Sequence, residues 1–295
     1  MKLRKLNIAA AALTFSFAVI AFTVSSCHSG TSKKSGADTT VAKTDTTAKV
    51  NSNGIVSEQE DPNKQYVFLT FDDGPQPPGT KNVLDLCREL GVKASFFMVS
   101  DNEMANVRSG VIDPERVPLV DSIRNAYPQL LLCNHSTSHA FNGKYSFFYN
   151  HPDSALQDFL KAQQFLNVRY KIIRLPGNSA WVRQGEVFST KQCRPVCKLL
   201  DSCGYNVIGW DVEWSLSKGH GQQHPVESAD KILSMIDHAV NNYTHTKNNV
   251  VLLTHDRLFA EPASVDSLRK VILALKNNPH YVLQTIDKYP RLKTQ

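Results

Sequence analysis

From residue 65 onward, short apolar runs alternate with stretches in which apolar residues recur every three or four positions. The runs at 66–70, 92–99, 130–133, 170–173, 205–212, 250–253 and 281–285 have the length of strands. Between them the spacing predicts helices. Residues 81–90 place Val83, Leu84, Leu86, Cys87 and Leu90 on one face, and Gly91 is a natural stop. Further helices are predicted at 113–126, with Pro114 in the first turn, and at 153–166, 195–202, 228–241 and 264–276. Strand–helix alternation of this kind implies an α/β fold with parallel strands and crossover helices. Seven strands in one domain favour a closed or nearly closed (β/α) barrel, with an open sheet as the alternative. A barrel carries its site on the loops after the strands, so useful polar residues should follow the apolar runs.

The first 54 residues follow a different pattern. Lys2, Arg4 and Lys5 precede an uncharged apolar run at 8–24, which ends in Val24-Ser25-Ser26-Cys27. Small residues before a cysteine resemble the lipobox of bacterial lipoproteins, with cleavage before Cys27 and a lipid on its sulfur. An uncleaved single-span anchor is the alternative. Residues 28–54 are Ser, Thr, Lys, Gly, Ala and Asp with almost no large apolar side chain, and read as a disordered tether. The expected organisation is therefore a signal segment at 1–27, a tether at 28–54 and one domain at 55–295. It sits outside the cytoplasm and is held to a membrane through its N-terminal lipid only. His28 rather than Asp after the cysteine slightly favours the outer membrane.

Charge narrows the function classes. Of the 33 Lys and Arg residues, seven lie in 1–54, leaving 26 for the domain; of the 27 acidic residues, two lie there, leaving 25. The formal charge of +6 is thus mostly leader and tether, the domain is close to neutral, and the footprint of a nucleic-acid binder is missing. Five cysteines follow Cys27: Cys87, Cys133, Cys193, Cys197 and Cys203. The last three fit structural zinc spacing poorly and read as buried thiols or one disulfide.

The chemistry-bearing residues do follow the strands. After the first comes Thr70-Phe71-Asp72-Asp73-Gly74-Pro75. Two adjacent carboxylates suit a metal ligand beside a base, although Asp-Asp-Gly-Pro is equally a turn. Neighbouring residues of a strand point to opposite faces, so the chain is expected to turn at Gly74-Pro75 before both can share a cavity. After the third strand comes Asn134-His135-Ser-Thr-Ser-His139, two histidines placed to share one helical turn and one cation. His220 and His224 have the same spacing but lie in a Gly/Gln loop without a strand or carboxylate, and are not expected to be ligands. Arg174-Leu-Pro176-Gly177, Trp210-Asp211-Val-Glu213-Trp214 and His255-Asp256 follow the later strands.

Five such sets in this order resemble the polysaccharide deacetylase family, the NodB-homology carbohydrate esterases of family 4, over about residues 66–285. The resemblance implies a distorted (β/α) barrel of about seven parallel strands, NodB-like, and metal-assisted hydrolysis of an acetyl group on a sugar. It implies that Asp73, His135 and His139 hold a divalent ion, zinc above others, with Asp72 as general base and His255 as the acid for the leaving group. Arg174 would orient Asp72, Asp211 would tune His255, and a backbone N–H near Gly177 would help bind the oxyanion. Trp210 and Trp214 are candidates for the substrate groove. Two departures stand out. The family's third motif commonly reads Arg-Pro-Pro-Tyr-Gly, so the aromatic residue beside the oxyanion position is gone here. The fourth is one residue shorter than usual, which leaves open the acid that partners His255. The expected function is N-deacetylation of a GlcNAc-containing glycan. The alternatives are O-deacetylation of a xylan-type polymer or a catalytically idle glycan-binding lipoprotein.

Overall fold

The computed structural model describes residue 61 and residues 63–106, 108–217 and 222–293. The apolar leader, Cys27, the tether and His220 lie outside these residues. In chain order the strands are β1 (Gln65–Gly74), β2 (Ala94–Met98), β3 (Met104–Asn106), β4 (Val111–Ile112), β5 (Leu130–Asn134) and β6 (Ile172–Ile173). There follow β7 (Trp181–Arg183), β8 (Glu186–Phe188), β9 (Asn206–Val207), β10 (Val212–Glu213), β11 (Asn249–His255) and β12 (Tyr281–Leu283). The helices are α1 (Gly79–Leu90), α2 (Val117–Arg124), α3 (His139–Gly143), α4 (Tyr145–Asn150), α5 (Pro152–Phe165), α6 (Arg194–Ser202), α7 (Ala229–Asn242) and α8 (Pro262–Asn277).

Six of the seven expected strands form, and the seventh forms as two pieces. They make one curled, mostly parallel sheet in the order β10-β11-β1-β2-β5-β6-β9, with β12 also paired to β1. The distortion has a physical cause. The expected strand at 205–212 is broken into β9 and β10, because Arg174 takes the carbonyls that a ladder would use. Its Nε donates to Ile208 O at 3.2 Å and its Nη2 to Gly209 O at 3.0 Å. The run nevertheless spans both margins of the sheet: Ile208 N donates to Ile173 O at 2.9 Å, and Asp211 N to Val251 O at 3.0 Å.

Period-two alternation sorts the strand side chains. Val67, Leu69 and Phe71 of β1, with Val250 and Leu252 of β11, pack outward with Leu84, Ile236 and Ile272 of the helices. Phe68, Phe97, Leu131, Cys133 and Val251 fill the interior. By the same parity Thr70, Asp72 and His255 belong to the interior, at the end where the strands finish.

Several elements were not legible in the pattern. β3–β4 and β7–β8 are antiparallel hairpins, and β7 adds to β9 antiparallel. Helix α2 starts later than the spacing predicts: Pro118, not Pro114, is in its first turn, and Asp113 Oδ1 instead accepts from Glu115 N at 2.9 Å in a turn. All five cysteines after Cys27 are free thiols, four of them buried, so none of the possible disulfides forms. Among the described residues no helix is long and apolar enough to cross a membrane.

Candidate active site

Adjacent carboxylates reach one cavity by a different route from the expected turn. β1 continues through Gly74, with an irregularity in its pairing to β2 between Asp72 and Gly74. Asp73 itself takes the left-handed conformation, φ 71°. That one residue, which by parity should face the helices, is rotated inward beside Asp72. Gly74 is required where it stands, because a Cβ there would run into the Asp256 carboxylate and sit 2.5 Å from Met98 Sδ.

Asp72 is buried and clamped. Arg174 Nη1 donates to its Oδ1 at 2.8 Å and to Thr70 Oγ1 at 2.7 Å, and the guanidinium carbon lies 4.3 Å from the centre of the Phe97 ring. The other oxygen faces His135 Nε2 at 3.7 Å. In the ladder, Asp72 stands directly beside His255.

The histidine pair does not share a helical turn, as the spacing suggested. His135 ends the β5 run; Ser136 has φ 93° and His139 φ 48°. The loop between them is tied to Asp158 of α5. That carboxylate accepts from Thr137 N at 2.9 Å, Ser138 N at 3.2 Å and Ser138 Oγ at 2.9 Å. His135 Nδ1 lies 3.0 Å from Arg174 O, which fixes the Nδ1–H tautomer and leaves Nε2 as a free ligand.

Asp73, His135 and His139 converge, with their ligand atoms within 4.8 Å of one another. Asp73 Oδ1 lies 3.3 Å from His135 Nε2 and 3.1 Å from His139 Nε2. Ligand atoms held about 2.0–2.1 Å from a tetrahedral ion stand roughly 3.3 Å apart. Asp73 Oδ1 is buried without a hydrogen-bond partner of ordinary geometry, as a metal ligand would be. The three residues fit a divalent cation and leave a coordination position open. Burial alone would raise the Asp73 carboxyl, but hydrogen bonding to His135 and His139 and the charge of His255 hold it well below the usual carboxylate range. Burial works against protonation of His135, yet Asp72 and Asp73 outweigh it and raise its pKa. His255 goes the other way: burial lowers it, and the two aspartates only partly compensate.

Two expected residues are placed elsewhere. Asp211 does not meet His255. Its oxygens accept from His245 N at 2.7 Å and Val251 N at 2.8 Å, so it staples β10 to β11, while His255 Nδ1 has no partner among the described residues. Burial raises Asp211 to about 6 despite those two bonds. Trp214 is fully buried, its indole N–H donates to Glu227 O at 2.8 Å, and its ring packs on Phe259. It is core, not groove. Trp210 remains partly exposed, 6.0 Å from the Arg174 guanidinium. Gly177 has φ 63°, a conformation that favours glycine.

Sequence reasoning missed four contributors. Arg257 Nη1 donates to Asp73 Oδ2 at 2.7 Å, so the ligand carboxylate presents only Oδ1 to the histidines. Asn102 Nδ2 donates to Asp73 O at 2.6 Å from the segment after β2. Asp158 holds the histidine loop, and Tyr145 packs edge-on to His139 with ring centres 5.9 Å apart. Arg257 follows His255 by two residues and was within sight; the other three carry no local signal.

Residues 59–181 match the family model described as polysaccharide deacetylase. A peptidoglycan-N-acetylglucosamine deacetylase of Bacillus cereus is 26% identical over 245 residues, covering 81% of this chain and 95% of the relative. Among solved structures, the catalytic domain of a peptidoglycan N-acetylglucosamine deacetylase from Eubacterium rectale superposes with TM-score 0.55 at 22% identity, covering 80% of this chain and 95% of that one. A CE4 esterase of Streptococcus mutans does so with TM-score 0.54 at 21% identity, covering 76% and 86%. These structural likenesses establish the fold. The stretch from β1 to β7 is similar to the polysaccharide deacetylase family.

Proposed function

We propose that the chain hydrolyses acetyl groups on an acetylated polysaccharide, and that its substrate is a GlcNAc-containing glycan cleaved at the N-acetyl group. The observation that carries this reading is Asp72. It is buried beside the Asp73, His135 and His139 set, is not part of it, and accepts a hydrogen bond from the buried Arg174 guanidinium at 2.8 Å. Holding a cation or a sugar needs no such group; removing a proton from water does.

The residues fit a divalent ion, zinc in this proposal, which when bound supplies Lewis acidity toward the acetyl carbonyl. Asp72, held in place by Arg174, accepts the proton of the attacking water. His255, beside Asp72 in the ladder, gives a proton to the leaving amine. The Gly177 N–H is assigned to the oxyanion. Trp210 lines the groove beside Arg174.

The N-acetyl reading is supported by the Bacillus cereus relative, whose name specifies that linkage. The address read from residues 1–54 is also proposed: a lipid on Cys27 would hold the domain outside the cytoplasm, where polymeric cell-wall glycans are found. Acetate release from GlcNAc oligomers, peptidoglycan and acetylated xylan tests the function. Release from the first two is expected. Release from xylan alone would move the assignment to an O-acetyl esterase, and release from none, with metal bound, would leave a glycan-binding protein.

A further inference from the structure

Arg257 lies two residues beyond His255, the last residue of β11, in the short helical turn Asp256–Phe259. That turn is fixed from both sides. Leu258 and Phe259 are fully buried, and Asn82 Nδ2 donates to Phe259 O at 2.9 Å. The start of α1 presses on the same backbone, since a Cβ on Gly79 would lie 2.3 Å from Asp256 O and 2.9 Å from Arg257 Cα. A backbone held this way aims the arginine at the site. Its Nη1 donates to Asp73 Oδ2 at 2.7 Å, the Asp73 side chain being 7% exposed and that of Arg257 26%.

A purely structural arginine would be expected to satisfy its buried donors, and this one does not. Arg257 Nε is buried without a hydrogen-bond partner among the described residues. An unpaired buried donor works against the placement, so the bond to Asp73 is what holds the guanidinium there. That bond divides the carboxylate. Oδ1 faces His135 Nε2 at 3.3 Å and His139 Nε2 at 3.1 Å. Oδ2 faces Arg257 and, more distantly, His255 Nε2 at 3.7 Å. Turning both oxygens toward one cation would break a charge-assisted hydrogen bond where little water can replace it.

We propose that Arg257 is a positioning residue that keeps Asp73 a one-oxygen ligand, and so sets the preference of the site for a four-coordinate ion such as zinc over a six-coordinate one such as manganese. This rests on the metal-dependent reading proposed above. Asp73 Oδ1, two histidine nitrogens and one water complete a tetrahedral set. An ion that takes six ligands and favours oxygen has a use for Oδ2, which Arg257 withholds. The charge of Arg257 opposes every divalent ion alike, so it cancels when two affinities are compared as a ratio. What the ratio retains is the geometry of the carboxylate. Groups that hold metal ligands in place commonly change affinity about 10–100-fold.

The experiment measures Kd for Zn²⁺ and for Mn²⁺ by chelator competition in wild type, Arg257→Met, Arg257→Gln and Arg257→Lys. Met and Gln each remove the cation and release Oδ2, so either serves if the other does not fold. Lys keeps a cationic donor, and Asp73 receives a single N–H from Arg257. The ratio of Kd for manganese to Kd for zinc is expected to fall about tenfold or more in the neutral variants and to stay close to the wild-type value in Arg257→Lys. A wild type that binds zinc, with the ratio unchanged in the neutral variants, overturns this inference and leaves the metal site standing. A fall in Arg257→Lys as large as in the neutral variants also overturns it, because a cation would then not be what restrains the carboxylate. A wild type that binds neither ion overturns both this inference and the metal-dependent reading.

Discussion

With its guanidinium fully buried, Arg174 serves Asp72, Thr70 and the two carbonyls of the broken strand at once. Removing it would leave a buried carboxylate without a counter-charge, which typically costs about 3–5 kcal/mol. Arg174→Met is therefore expected to lose stability on that order in denaturant unfolding; a loss below about 1 kcal/mol would show that Asp72 is not held as described. His245 gives a second prediction at this scale. Its ring stacks on Trp181 with centres 4.2 Å apart, and burial, with Arg183 adding to it, lowers its pKa to about 4. The unfolded chain binds that proton from about pH 6.5 downward, so the folded state loses stability as pH falls from there toward 4. His245→Phe keeps the stack and removes the proton site. The melting temperature of the wild type should fall relative to this variant between pH 7 and pH 4.5, and parallel curves would contradict the account. Asp72, Asp73, His135 and His139 were legible because strand ends announce themselves. Arg257, Asp158 and Tyr145 were not, because what they touch is decided by tertiary packing: the bond from Arg257 to Asp73 spans 184 residues.

At the level of elements, periodicity located six of the parallel strands and the major helices, since a strand buried on both faces and an amphipathic helix each leave a regular signature. It could not see β3–β4, β7–β8 or α3, whose few residues have no periodicity to read. It also took 205–212 as one strand, because nothing in the run itself shows that an arginine more than thirty residues earlier will occupy its carbonyls. The loop from 134 to 139 teaches the same lesson. Two histidines four positions apart suggested a helical turn, but the loop is built on Asp158 and on Asn134, whose Oδ1 accepts from Ser136 N at 2.8 Å. If Asp158 sets the distance between the histidines, Asp158→Ala should weaken zinc binding about 10–100-fold while leaving all three ligands in place. Competition with a chromogenic chelator measures this, and wild-type affinity in the variant would mean that the loop holds its shape without the carboxylate.

Taken as a whole, the molecule gathers a clamped carboxylate, three side chains that fit a cation and a buried histidine at the end of a curled parallel sheet where its strands finish. In the reading proposed for residues 1–54, they set where the domain works rather than how. Cys27→Ser is expected to release the protein from the membrane fraction or to block its processing; a variant that stays membrane-bound at full precursor length would favour an uncleaved anchor. The central claim is that two adjacent aspartates divide the labour, one holding the cation and the other taking the proton of water. It is tested most directly by measuring zinc content and acetate release together in Asp72→Asn and Asp73→Asn. Asp72→Asn is expected to keep its zinc and lose about 10²–10⁴-fold in turnover, as loss of a general base does, whereas Asp73→Asn loses zinc and activity together. Zinc lost from Asp72→Asn but kept in Asp73→Asn would reverse the assignment, and full turnover in Asp72→Asn would contradict it.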